Sequence, residues 1–251
     1  MSDFENRWRA LRPGARNQLE QRDYSAASLA ETLASKGLDA SAVIASETEL
    51  HESGAWIPGV EIFPRKVFPQ HQRGCFGELG RSGEGLLGAI GFWPSQWSAA
   101  RMDGGTAKGF HIHPPFVPEG REPEEWFAEL FGPSAPPDAR PYNREQWDVM
   151  FIAQGRIDMI LIDERAGMPR RTMRFYIDGD NHRGLNNAGV VIPAGVAHAM
   201  RAGDSEDVVM IYGTSTTFRP EFEGRIASGI ESAPLPDDWQ DYMRSARTAS
   251  R

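Results

Sequence analysis

Short apolar runs broken by glycine and polar residues dominate the chain from Trp56 onward. Val60-Glu-Ile62-Phe63, Gly85-Leu-Leu-Gly-Ala-Ile90-Gly-Phe92 and the segment ending at His111 read as strands, with Gly74, Gly77, Gly80, Gly83 and Gly85 as punctuation. Trp147-Asp-Val-Met-Phe-Ile152 and Ile157-Asp-Met-Ile-Leu-Ile162 flank a turn at Gln154-Gly155 and predict a hairpin. Met173-Arg-Phe-Tyr-Ile177, Gly189-Val-Val-Ile192 and Asp207-Val-Val-Met-Ile-Tyr212 continue the pattern. The fold class is therefore all-β.

The two ends differ from this middle. In residues 1–53, Phe4, Trp8 and Leu11 fall at helical spacing, and Ala26, Leu29 and Leu33 predict a second helix that ends at Lys36-Gly37. The stretch carries no recognisable chemistry and reads as a helical extension. A β domain follows over 54–235, and residues 236–251 predict a helical tail that starts near Pro236 with Asp237 as cap. Residues 114–146 interrupt the domain. Eight of the 18 prolines lie there, around a short acidic helix from Pro123 to Phe131, as expected of a lid or a subunit contact.

Composition narrows the partners. A formal charge of −8 argues against a general polyanion binder, so no nucleic acid is expected, although a local basic pocket could still hold one diphosphate. Cys75 is the only cysteine, which precludes an internal disulfide. The chain opens on a charged segment and has no apolar run of membrane-spanning length. These features predict a soluble cytoplasmic protein.

The candidate chemistry sits around Gly105-Thr-Ala-Lys-Gly-Phe-His111-Ile-His113. On a strand, residues two apart share a face, so both imidazoles point the same way. Asp148 follows after the insertion, with Gly155 beyond it, and then Pro193-Ala-Gly195-Val-Ala-His198. This order of glycines, histidines and an acid resembles the two motifs of the cupin superfamily. The resemblance implies a jelly-roll-like barrel (a double-stranded β-helix) in which His111, His113, Asp148 and His198 hold a divalent iron, manganese, nickel or zinc ion, with no organic cofactor. In the plainer alternative His111 and His198 are ordinary buried histidines, His113 is a surface residue and Asp148 pairs with an arginine.

A narrower resemblance covers residues 57 to about 231. Ile57-Pro-Gly-Val60, Lys66-Val-Phe68, Arg73-Gly-Cys-Phe76-Gly-Glu78, Lys108-Gly-Phe-His111 and Ile192-Pro-Ala-Gly-Val-Ala-His198 resemble segments of the dTDP-4-dehydrorhamnose 3,5-epimerases, which are metal-independent cupins. The resemblance implies that Arg73, Phe76, Glu78 and Gln96 contact the nucleotide, partly across a homodimer interface. Lys108 would bind diphosphate, with Arg165 a further candidate, while His111 would be the catalytic base and Tyr212 the acid.

Two positions break the match in the same direction. The epimerases carry lysine in place of Asp148 and usually glutamine in place of His113. Gly213 also replaces a lysine, and Glu231 is the one acid near the place of the aspartate that orients the base. These substitutions suggest that a metal stands in for the lysine, with His111 then either base or ligand. The expected function is an epimerase or isomerase of a nucleotide-linked 4-keto-deoxy sugar, metal-assisted, working by proton abstraction beside the carbonyl. The alternatives are a metal-dependent cupin oxygenase or isomerase acting on a small acid or sugar, and a sugar-binding cupin without catalysis.

Overall fold

A computed structural model describes residues 56–131, 145–168, 171–184, 186–203, 205–219 and 222–225. The expected N-terminal helices and C-terminal helix lie outside the described residues. One antiparallel sheet holds, in spatial order, β1 (Glu61–Pro64), β9 (Ala188–Ile192), β6 (Asp148–Gln154), β11 (Val208–Thr214) and β4 (Gln96–Met102). The second holds β12 (Gly224–Arg225), β5 (Ala107–Ile112), β10 (Val196–Ala202), β7 (Arg156–Asp163) and β8 (Thr172–Asp178). A separate ribbon pairs β2 (Val67–Pro69) with β3 (Cys75–Gly77). The jelly-roll-like architecture is thus present as two facing sheets. Among the described residues their ladders do not join into one closed barrel.

The sequence alternation decides which side chains lie between the sheets. On β7, Ile157, Met159 and Leu161 enter the central core, while Ile160 and Ile162 join Phe110, Ile112, Ala197 and Ala199 on the outer face. On β6, Met150 and Ile152 face inward; Val149 and Phe151 pack outward. Period two therefore aims Asp148, two residues before Met150, at the interior. The same rule aims His198, two residues before Met200, and aims His111 away from the outward-facing Phe110 and Ile112.

Two expectations are corrected. The strands around Gly155 do not pair with each other: β6 bonds to β9 and β11, and β7 to β8 and β10. Only Gly155 separates them, too short a link for the usual two-residue hairpin turn, so the chain turns a corner between sheets. Gly155 has φ +82°, and a Cβ there would lie 2.6 Å from the Asp207 carbonyl oxygen. The run from Gly85 to Phe92 contains no strand. Gly85–Ala89 is a short helix, α1, because Leu87 and Ile90 at helical spacing can pack with Phe92 onto the outer face of the first sheet beside Val149 and Phe151.

The helix expected in the insertion is present as α2 (Pro123–Phe131), with Phe127 and Leu130 buried against Met168. Residues 132–144 of the insertion lie outside the described residues. No described helix is long and apolar enough to cross a membrane.

Candidate metal centre

At one end of the space between the sheets, apolar side chains give way to His111, His113, Asp148, His198 and Tyr212, which line a cavity of roughly 230 Å³. Each arrives from a different local cause. Asp148 begins β6 and lies opposite Thr214 on β11 and Ile192 on β9. His198 sits on β10 directly across from His111 on β5. Gly195, at φ +79°, makes the turn that carries the chain from β9 into β10, and its N–H donates to the His113 carbonyl at 2.7 Å. The turn and the end of β5 are thereby tied together. Tyr212 enters from the facing sheet on β11.

His113, Asp148 and His198 each offer one ligand atom, and these atoms all lie within 4.8 Å of one another. His113 Nε2 is 3.1 Å and His198 Nε2 is 3.7 Å from Asp148 Oδ2. Ligand atoms bound to one ion at about 2.0–2.2 Å lie roughly 3–3.5 Å apart; the His113–Asp148 pair already meets this spacing, and His198 would have to move inward. His111 stands outside this group. Its ring is stacked on that of His198, with centroids 5.6 Å apart and planes 12° from parallel. The expected four-residue set therefore converges as three residues with His111 beside it.

The plainer alternative holds for His198, which is buried beside a backbone carbonyl, but not for His113 and Asp148. His113 is buried, at 6% exposure, and Asp148 is paired with imidazoles rather than with an arginine. His113 Nδ1 faces the Phe222 carbonyl oxygen at 3.2 Å, and a carbonyl only accepts, so Nδ1 carries a proton. His198 Nδ1 faces the Val196 carbonyl at 3.4 Å. The Nε2 lone pair of a neutral His113 then meets an Asp148 oxygen at 3.1 Å, acceptor against acceptor. Only a cation between them, proton or metal, makes that contact favourable.

The electrostatics agree. Burial by itself pushes the His113 imidazole down, but the neighbouring Asp148 carboxylate, with Glu223 and the Phe222 carbonyl, holds it above the usual histidine value. Burial pushes Asp148 up, yet His113, then His198 and Gln146, hold it below the usual carboxylate value. The other oxygen of Asp148, Oδ1, is buried with no hydrogen-bond partner among the described residues.

Sequence reasoning missed two members of this site. The Gln146 amide nitrogen is 3.2 Å from His113 Nε2. Its signal was available, since 146 and 148 share a face when the strand is extended backwards. Glu223, with an oxygen 3.7 Å from His113 Nδ1, had no local signal: it arrives because Gly224 pairs with Ile112 when β12 joins β5. Glu231, considered for a similar place, lies outside the described residues.

The expected substrate-binding residues divide. Gln96 and Lys108 line the cavity. Gln96 accepts from the Phe218 N–H at 2.9 Å and donates to Ser98 at 3.2 Å, and Lys108 Nζ donates to the Arg101 carbonyl at 3.0 Å. Arg73, Phe76 and Glu78 lie at the β2–β3 ribbon, away from the cavity wall, and Glu78 pairs with Arg81. Arg165 is a correction. It is fully buried, chelates Asp163 through Nε and Nη2 at 2.8 Å each, and has no surface to offer a diphosphate.

No family model matches the chain, and no curated protein matches it. Solved structures do resemble it. A dTDP-4-dehydrorhamnose 3,5-epimerase from Elizabethkingia anophelis is 15% identical, with 72% of this chain and 84% of that one covered at a TM-score of 0.50. A dTDP-6-deoxy-D-glucose-3,5-epimerase from Legionella pneumophila, in complex with dTDP-4-keto-L-rhamnose, is 19% identical over 73% of this chain and 82% of that one, also at 0.50. A 3'-monoepimerase from Streptomyces bikiniensis, in complex with dTDP, is 16% identical over 78% and 98%, again at 0.50. The chain has the cupin fold of these sugar epimerases, with a His/Asp/His cluster inside it.

Proposed function

We propose that this chain is an epimerase or isomerase of a nucleotide-linked 4-keto-deoxy sugar, assisted by a divalent metal held by His113, Asp148 and His198. One observation carries the reading: Lys108, His111 and Tyr212, the residues singled out by the epimerase resemblance, line the same cavity as the metal-type cluster. The donor set fits the ion. The two Nδ1 atoms face backbone carbonyls, the Nε2 atoms lie near one carboxylate oxygen, and the second carboxylate oxygen has no hydrogen-bond partner. When bound, such an ion supplies Lewis acidity to the keto oxygen, the task that falls to lysine in the metal-free resemblance.

The chain's own groups move the protons. His111 lies outside the cluster and is assigned the base: its imidazole takes the proton from the carbon beside the carbonyl. Tyr212, on the facing sheet, returns its phenolic proton to that carbon from the opposite side, which inverts it. Solvent then restores both side chains. Met150, Met200 and Met210 line the inner part of the cavity and limit water there.

Incubation with a dTDP-4-keto-6-deoxyhexose in heavy water tests the reading. Deuterium is expected beside the carbonyl, with its uptake slowed at least ~100-fold in Tyr212→Phe or His111→Gln. Absence of uptake from every such sugar, with and without added metal, overturns it; tight binding without turnover would instead indicate a sugar-binding protein. A second reading rests on the cluster alone, because two histidines and one carboxylate leave coordination positions open as in iron oxygenases. Oxygen consumption by the iron-loaded chain with a small acid or sugar would favour it.

A further inference from the structure

We infer that a second cavity, walled by Ser95, Gln146, Thr216, Thr217, Arg219 and Phe222, receives the phosphoryl-bearing part of the substrate, with Arg219 as its anion-binding side chain. The inference rests on the nucleotide-sugar reading and deepens it.

The charges of the two cavities differ. The cavity over the cluster is lined by Lys108 but also by Asp148 and Glu223, so a polyanion entering it would meet two carboxylates. Among the described residues, the wall of the second cavity, of roughly 350 Å³, contains no aspartate or glutamate, and Arg219 is its one formally charged residue. In a chain of net charge −8, Arg219 thus gives this wall its positive charge. The Arg219 guanidinium has no carboxylate partner among the described residues; its recorded contact is with the Phe222 ring, 5.9 Å from centroid to Cζ. A guanidinium offers a fixed fork of donors that matches phosphoryl oxygens, and hydroxyls from Ser95, Thr216 and Thr217 share the wall.

Position connects this cavity to the chemistry. Gln146 lines both cavities. Its carbonyl oxygen faces the Thr216 hydroxyl at 3.4 Å, and its amide nitrogen lies 3.2 Å from His113 Nε2. Phe222 stacks near Arg219 on one side and accepts from His113 Nδ1 at 3.2 Å on the other. A sugar over the cluster could therefore extend its phosphoryl tail past Gln146. The other cations expected to bind diphosphate are committed or remote: Lys108 donates to the Arg101 carbonyl, Arg165 is sealed onto Asp163, and Arg73 sits at the β2–β3 ribbon.

Calorimetric titration of the full chain with pyrophosphate and with dTDP tests the assignment. Arg219→Ala should weaken both by at least about ten-fold, and Arg219→Lys by less, because an ammonium keeps the charge and loses the fork. The difference should shrink at high salt. Arg219 is exposed, so an unchanged melting temperature is expected and excludes a folding defect as the cause. Equal affinity of the parent chain and Arg219→Ala overturns the inference, as does failure of the parent chain to bind either ligand. Deuterium exchange separates this from the function itself. A chain that exchanges the keto-sugar proton while Arg219→Ala binds dTDP normally keeps the function and loses the subsite. A chain without exchange whose pyrophosphate binding depends on Arg219 loses the function and keeps the subsite.

Discussion

Asp148 and Asp163 are both strand-terminal and both buried, at 3% and 0% exposure, but their surroundings oppose each other. Asp163 is closed by a guanidinium: Arg165 reaches both of its oxygens at 2.8 Å, and the Arg165 backbone N–H adds a bond at 3.2 Å. Asp158 on the outer face of the second sheet is closed similarly by Arg174, at 2.6 to 3.1 Å. Asp148 meets two imidazoles and an amide, and one of its oxygens has no hydrogen bond. A buried carboxylate costs several kcal/mol to desolvate, and a full cation with satisfied donors offsets that. A closed pair holds the fold. An open carboxylate facing a cavity keeps an oxygen that the fold does not use.

The largest expected effect breaks the closed side of this comparison. Arg165→Ala leaves Asp163 buried without its cation, removes a bond to the Pro58 carbonyl and removes a guanidinium 4.3 Å from the Phe131 ring. A loss of about 3–5 kcal/mol in urea unfolding is expected; a loss below about 1 kcal/mol would show that the pair is not what closes this corner. Next, on the open side, Asp148→Ala should lower divalent-metal affinity at least ~100-fold, read by cobalt titration of chelator-treated protein, with a smaller loss of metal-free stability than Arg165→Ala. Near-normal cobalt binding in that variant would remove Asp148 from the ligand set.

Gln146→Ala sharpens the distinction between holding an ion and positioning its ligands. Gln146 contacts both His113 and Asp148, so a loss of about 10–100-fold in metal affinity is expected, without loss of stoichiometry. Unchanged affinity would mean that the amide only separates the two cavities.

The smallest effect concerns pH in chelator-treated protein. His113 is held above its usual value of 6.5, so its contribution to stability is full below about 6.5 and fades as pH rises through the raised value. Asp148 is held below 3.8, so its contribution is full above about 3.8 and fades as pH falls through the lowered value. Between those limits the pair stabilises the metal-free chain. Melting temperature against pH should therefore be flatter in His113→Gln than in the parent, and identical profiles would contradict the pairing. Metal competes with the His113 proton, so metal affinity should rise with pH.

The legible part of the site was local. His111 and His113 two apart, Asp148 beside an apolar strand and His198 after a glycine turn were all visible, and all line the cavity. Glu223 and Arg219 were not visible, because neither lies in a patterned run; β12 pairing and the loop after β11 bring them in. Arg165 is not legible, because a basic residue at a turn looks the same in sequence whether it is solvated or sealed onto Asp163. The Gly155 link is hidden for a related reason. Both flanking strands are apolar on both faces, so alternation could not choose their partners.

What the sequence determined by itself is the face of each strand residue, because the pleat alternates whatever the strand pairs with. That was enough to turn Asp148, His198 and the two histidines of the 111–113 segment towards one interior. Tertiary structure decided the rest: that β5 and β10 pair so that His198 stacks on His111, that His113, Asp148 and His198 come within reach of one another, and that Asp163 is sealed while Asp148 stays open. Distances of a few ångströms between side chains on different strands depend on register and on how two sheets face each other, and no periodicity within one strand contains that information.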